Sequence, residues 1–298
     1  MIPYTFTSQL TEASNTITAS ASFDVLGKLE PATGCLFGAY PGSGNASPTA
    51  YETLASRKLN VYMRYYELAD TFPTAADIAL VNAGRTLCID WSTCWTTGTA
   101  ITWASVTAGQ YDSQIIATAN RLAALKVPVF VGWANEPDIS QWISQCGPAS
   151  TYPASYQHVY NLVHPIASNV VWYWTVSNVG DNPQVTYPGD FIDWFGCDPY
   201  DPTLAKGSPL ATYEPYVNWL SKQAFASEKP VGFFETGVQN TVADASRATW
   251  LNLVPAALQQ LGIKLWLWWN SGTYIIASGS QSATALASIG ASAFFNQE

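Results

Sequence analysis

Eight short apolar runs punctuate the chain: Cys35–Tyr40, Leu59–Tyr66, Thr86–Trp91, Pro128–Trp133, Val170–Val176, Phe191–Cys197, Pro230–Phe234 and Ile263–Trp269. Each is mostly apolar throughout instead of alternating, the pattern of strands buried on both faces. Other intervals carry a helical period. Ile115, Ile116, Ala119, Leu122 and Leu125 share one face, as do Tyr156, Val159, Tyr160, Val163 and Ile166. A third period runs from Ser246 to Leu261, with Pro255 expected to bend or split it and Gly262 placed to cap it. A last helix is predicted over Ala283–Phe295, whereas the helices after the first three strands leave no clear period. Residues 1–34 differ: rich in Thr, Ser and Ala and without a helical period, they predict one or two peripheral strands or an extended arm.

Strands separated by helices run parallel, because parallel neighbours need crossover connections. Eight of them within about 260 residues predict an α/β fold, a (β/α)8 TIM barrel. On this reading residues 35–298 form a single catalytic domain and 1–34 an N-terminal extension. A doubly wound open sheet is the alternative. It would normally show a glycine-rich first turn, and Gly42-Ser43-Gly44 lacks both the third glycine and a clear following helix.

Composition narrows the partners. With 12 basic against 21 acidic residues the net charge is −9, which repels phosphate backbones and anionic headgroups, so neither nucleic acid nor a membrane surface is expected as a partner. No apolar stretch approaches the roughly 20 residues that span a bilayer. Few lysines and many Ser, Thr and Asn residues predict a secreted protein, and a monomer is expected. Of five cysteines, Cys88 and Cys197 fall in apolar runs and read as core, while Cys94 and Cys146 fall in polar loops and are the pair available for a bridge. Asn45-Ala46-Ser47 fits a glycosylation sequon. Aromatic residues make up 14% of the chain, 13 of them Trp, a surplus suited to stacking uncharged sugar rings.

The candidate chemistry lies at two strand ends. The fourth run ends in Gly132-Trp133-Ala134-Asn135-Glu136-Pro137, the seventh in Phe233-Phe234-Glu235-Thr236-Gly237. Barrel active sites sit at the carboxyl ends of the strands, and a carboxylate there is costly to bury without partners. Strand alternation puts Glu136 on one face with Ala134 and Gly132, and Glu235 with Phe233 and Val231. Two facing carboxyls are the equipment of glycosidic cleavage: one protonated to donate to the leaving oxygen, the other ionised, about 5 Å away in a retaining enzyme. The two histidines, His158 and His164, lie on an amphipathic helix, so a Ser-His-Asp relay is not expected. Neither a Gly-x-Ser-x-Gly elbow nor a His-Glu-x-x-His helix occurs, and no metal or organic cofactor is predicted.

Asn135-Glu136-Pro137 on the fourth strand and Glu235 on the seventh resemble the retaining glycoside hydrolases of clan A. The stretch from Asp112 to Gly237 is further similar to glycoside hydrolase family 26, chiefly β-mannanases with some xylanases and lichenases. The segments that carry this likeness are Tyr187-Pro188-Gly189-Asp190, Asp193-Trp194-Phe195-Gly196-Cys197-Asp198-Pro199-Tyr200 and Lys229-Pro230. One position departs: family 26 commonly has His before the acid/base, and here it is Asn135. The resemblance implies Glu136 as general acid/base, Glu235 as nucleophile and Asn135 on the sugar 2-hydroxyl. Tyr200 would hold the nucleophile, and Arg64 would lie beneath it and keep its pKa low. Trp269, in preference to Trp268, would floor the sugar at the cleavage point, with Asp90, Trp91 and Trp133 as further cleft residues. Trp95, Trp103, Trp142 and Trp172 read first as packing and second as distal platforms.

The expected function is therefore a retaining endo-β-glycosidase acting on a polysaccharide or oligosaccharide, β-mannan first and xylan or a β-glucan next. A non-catalytic carbohydrate-binding barrel is the rival from another class, distinguished by binding without release of reducing ends. An exo-glycosidase or transglycosylase would use the same residues.

Overall fold

The computed structural model describes residues 2–12, 15–25, 28–42, 47–93, 101–177, 179, 183–226 and 229–295. The first two strands, β1 (Ile2–Glu12) and β2 (Asn15–Val25), pair antiparallel in a sheet of their own, Ile2 opposite Val25 and Glu12 opposite Asn15. Eight parallel strands then close into a barrel. They are β3 (Leu36–Tyr40), β4 (Val61–Glu67), β5 (Thr86–Ser92), β6 (Val129–Trp133), β7 (Val170–Val176), β8 (Trp194–Cys197), β9 (Val231–Thr236) and β10 (Leu265–Trp269). Each pairs with the next in sequence, and β10 closes the ring onto β3. All eight apolar runs are barrel strands, so the predicted (β/α)8 architecture is the observed one.

The crossovers supply the outer layer: α1 (Pro48–Ala55), α2 (Ala75–Asn82), α3 (Trp103–Thr107), α4 (Asp112–Ala123), α5 (Ser140–Cys146), α6 (Tyr152–Val163), α7 (Pro209–Leu220), α8 (Asp244–Asn252), α9 (Val254–Leu261) and α10 (Gln281–Gly290). Pro255 splits the third predicted helix into α8 and α9, and Gly262 caps the second half in the left-handed region at φ 69°. The last helix ends at Gly290, short of the predicted Phe295. Phe295 turns back into the core, edge-on to Phe37 at 5.1 Å, which a continuing helix would not allow.

Two apolar layers follow from period-two alternation. Val61, Met63, Cys88, Phe130, Val171, Tyr173, Trp194, Phe234, Leu265 and Leu267 fill the barrel interior. Their alternates, among them Tyr62, Trp91, Trp133, Trp172, Phe195, Phe233 and Trp266, pack between strands and helices. Cys35, Cys88 and Cys197 are buried thiols. Cys146 is also buried and accepts a hydrogen bond from Thr93 Oγ1 at 3.5 Å; its suggested partner Cys94 lies outside the described residues, as do Trp95 and Asn45 and Ala46 of the sequon.

Directly below the fourth-strand acid, Gly132 leaves room for the Tyr173 ring, which stacks on Phe234 at 3.9 Å. A Cβ at position 132 would stand 2.5 Å from Tyr173 Cζ. Gly132→Ala is therefore expected to destabilise the barrel by about 1–3 kcal/mol through overpacking, read as a lower urea midpoint at unchanged slope. An unchanged midpoint would show that the ring can yield.

Candidate active site

Glu235 gathers the site. Its Oε1 accepts from the Tyr65 hydroxyl at 2.5 Å and from Asn135 Nδ2 at 2.9 Å, and its Oε2 accepts from the Tyr200 hydroxyl at 2.7 Å. Its backbone N–H donates to Asp198 Oδ1 at 2.9 Å. Four strands contribute: Tyr65 from β4, Asn135 just past β6, Asp198 and Tyr200 just past β8, and Glu235 in β9. All lie at the carboxyl ends.

The orientation of Glu235 comes from a local irregularity. Simple alternation would turn it outward with Val231 and Phe233, which pack against the helix layer, while Phe234 faces the interior. Along β10 the register jumps, Trp266 pairing with Phe233 but Trp268 with Thr236. The extra residue is a bulge in β9, a device that re-aims a side chain. Phe234 and Glu235 thus both turn inward, and Thr236 resumes the outward face with a bond from its hydroxyl to the Leu267 carbonyl at 2.9 Å. Asp198 takes up the Glu235 N–H at this break.

Glu136 is placed by a turn and not by alternation. β6 ends at Trp133, and both Ala134 (φ 51°) and Glu136 (φ 49°) stand in the left-handed region. Two non-glycine residues there store strain of a kind found at functional sites. The turn is pinned by the Ala134 N–H on the Trp91 carbonyl at 2.9 Å, and Asp138 behind it accepts from the Ser177 N–H at 3.0 Å.

Burial and mutual charge set the protonation of the two acids. Burial raises the Glu136 pKa most, the charge of Glu235 adds to it, and a hydrogen bond with the Ser177 side chain opposes them; the result is about 8. Burial also leaves Glu235 above the ordinary glutamate value, and hydrogen bonds from Tyr65, Tyr200 and Asn135 limit the rise. Only the charged form can use all three donors, so the pair divides into a protonated Glu136 and an ionised Glu235. Asp90 and Asp198, both buried, are driven well above the usual carboxylate range by burial first, then by Glu235 and Glu136. No lysine or arginine figures among the groups that shift these four carboxyls.

Of the residues anticipated from sequence, Glu136, Glu235, Asn135 and Tyr200 come together. Trp269 lines the same mouth, partly exposed, stacked on Tyr40 at 4.3 Å and edge-on to Tyr65 at 5.3 Å, while Trp268 is buried in the outer layer. Arg64 does not lie beneath Glu235. It faces the helix layer and pairs with Asp77 of α2 at 3.4 Å, because the inward positions of β4 are Val61, Met63 and Tyr65. Trp91 and Trp133 are also outward and fully packed, edge-on to each other at 5.4 Å, with Trp133 Nε1 bonded to Ser155 Oγ; they do not line a cleft. Asp90 is inward but wholly buried, with the Asn135 backbone beside its carboxyl, so it lies in the floor and not on the cleft surface. Trp103 and Trp172 are buried packing residues. Tyr65 and Asp198 escaped the sequence reading, although Tyr65 sits one residue from Arg64 on the opposite face.

Solved structures of other proteins share this fold. The barrel is similar to the glycoside hydrolase family 26 domain of an endo-β-mannanase/endo-β-glucanase from Prevotella bryantii (TM-score 0.63, 14% identity, covering 89% of this chain and 90% of that one). The fold is that of the family 26 mannanases. A β-mannanase from a symbiotic protist of the termite Reticulitermes speratus, complexed with gluco-manno-oligosaccharide, gives a TM-score of 0.64 at 12% identity over 90% and 94% of the two chains. A Bacillus subtilis mannanase gives 0.60 at 17% identity over 86% and 85%. No family model and no curated protein matches the sequence. At these identities the likeness is one of fold, and residue roles rest on the geometry above.

Replacing Glu235 by Gln removes the charge that helps to raise Glu136. The Glu136 titration, followed by carboxyl carbon NMR, should move down from about 8 toward the ordinary glutamate range. A midpoint that stays in place would mean that the two groups do not sense each other.

Proposed function

We propose that the protein is a retaining endo-β-glycosidase. The observation that carries this reading is the unequal pair: Glu235 held by three neutral donors, and Glu136 raised to about 8 beside it. Protonated Glu136 donates to the glycosidic oxygen as the bond to the anomeric carbon breaks, while a Glu235 oxygen attacks that carbon and forms a glycosyl ester. As Glu235 loses its charge in the ester, the Glu136 pKa falls, which suits its second task. Glu136, now a carboxylate, takes a proton from water, and the water oxygen displaces Glu235 from the anomeric carbon with a second inversion. Asn135, already bonded to Glu235, would meet the sugar 2-hydroxyl beside it, a contact that strengthens as the oxocarbenium-like state develops. Trp269 stacks beneath the ring undergoing displacement.

Mannan is the first substrate in this reading, with xylan or a β-glucan next, supported by the fold shared with mannanases. A polymer too large to enter a cell requires an enzyme that works outside it, in keeping with the lysine-poor, acidic composition.

Polysaccharide digestion followed by NMR should show a first product of retained anomeric configuration; an inverted product would remove Glu235 as nucleophile. Glu235→Ala should lose hydrolysis and regain turnover with azide as a glycosyl azide. Glu136→Ala should lose about 10²–10⁴-fold on polysaccharide but far less on aryl glycosides with good leaving groups; equal loss on both would contradict its role. Binding without reducing ends released would point to the non-catalytic rival.

Tyr65→Phe tests the support of the nucleophile. Losing a donor to the ionised form raises the Glu235 pKa, so the acid limb of kcat/KM should move to higher pH while the alkaline limb, set by Glu136, stays near its place. An unmoved acid limb would show that the hydroxyl does not tune Glu235.

A further inference from the structure

The segment after β10 is tied down more heavily than its exposure requires. Arg247 of α8, 2% exposed, donates from Nη1 to the Ile275 carbonyl at 2.9 Å and from Nη2 to the Tyr274 carbonyl at 2.5 Å. Trp268 Nε1 donates to the same Tyr274 carbonyl at 3.2 Å, and the Arg247 guanidinium lies 5.2 Å over the Trp268 ring. Asn270 Oδ1 accepts from the Ile276 N–H at 2.9 Å, and the Asn240 N–H reaches the Thr273 carbonyl at 2.6 Å. Asp244, one turn earlier on α8, is the acid whose charge reaches Arg247, but among the described residues none lies within ion-pairing distance of it, and its Nε has no partner. A buried cation used on two consecutive carbonyls of a surface loop is costly unless the position of that loop matters.

The loop carries Tyr274. Its ring is partly exposed and lies 5.1 Å from the ring of Tyr200, whose hydroxyl holds Glu235. Gly237, two residues past Glu235, leaves the space: a Cβ there would stand 2.6 Å from Tyr274 Cδ1 and 3.0 Å from Tyr200 Cε1. Tyr274 is thus a rigidly presented aromatic side chain at the nucleophile side of the mouth, opposite the Glu136 turn in the strand order.

We propose that Tyr274 is a substrate-contacting, specificity-determining residue on the nucleophile side of the cleft, and that Arg247 is the positioning residue that fixes it there. The inference rests on the glycosidase reading. A ring held by anchors on successive peptide groups meets a sugar with little ordering cost, whereas the same ring on a free loop would lose that advantage.

A double-mutant cycle on manno-, xylo- and gluco-oligosaccharides decides it. Tyr274→Ala should raise KM about tenfold or more and alter the ranking of the three sugars, leaving the pH limits of kcat/KM in place. Arg247→Met should do the same, and in the Tyr274→Ala background should cost little more, because its effect passes through the ring. Arg247→Lys should rescue part of the loss. If Arg247→Met does not fold, Tyr274→Ala and Arg247→Lys still read the KM and the sugar ranking. Unchanged KM and ranking in Tyr274→Ala, with an active wild type, would overturn this inference alone. Multiplying losses in the double variant would remove Arg247 as the positioning residue. A wild type that neither cleaves nor binds any of the three would overturn the proposed function and this inference with it.

Discussion

A carboxylate buried without a cation beside it keeps its charge only if neutral donors replace the water it has lost. Glu235 is in that position. Three side chains from three different strand ends converge on its two oxygens, and none of them carries charge. The same low-dielectric surroundings make the charge of Glu235 felt at Glu136, Asp90 and Asp198, each of which is better protonated beside it. One carboxylate served by neutral donors, among acids whose pKa values burial and its charge push upward, is a division of labour that the pocket enforces by itself. A lysine or arginine in the floor would lower every carboxyl together and leave no proton to donate.

The backbone meets this demand by breaking regularity at two places. The bulge in β9 turns Glu235 from the helix layer into the barrel mouth, and the left-handed turn after β6 brings Glu136 toward it. Both breaks are fastened by neighbours: Asp198 on the freed Glu235 N–H, and the Trp91 carbonyl on Ala134. Beneath them the barrel is ordinary, with apolar residues at most inward positions and glycines where large rings cross.

What could be read in the sequence follows the same line. The eight strands were legible because parallel strands covered on both faces must be apolar throughout, and Pro255 and Gly262 marked real helix ends. Glu136 and Glu235 stood out as acids at the ends of such runs. Their facing was inferred from alternation, which in fact fails at both: a bulge corrects it for Glu235 and a turn replaces it for Glu136. Neither leaves a mark in residue type, since no glycine stands at the bulge or at the two left-handed positions. The family resemblance puts Arg64 beneath the nucleophile, yet period-two geometry gives that place to Tyr65 and sends the cation to Asp77. Trp91 and Trp133 likewise fall outward, where their rings pack under helices. The fold was written in hydrophobicity, whereas the exact aim of each polar side chain depends on a one-residue phase that hydrophobicity does not record.

The proposed retaining mechanism requires Glu235 to form a bond to sugar. Incubation with a fluorinated β-glycoside bearing an activated leaving group, followed by peptide mapping by mass spectrometry, tests this directly. A single glycosyl label on the peptide containing Glu235, absent when Glu235 is replaced, is the predicted result. A label on another carboxyl, or full turnover of the reagent with no covalent species formed, would contradict it.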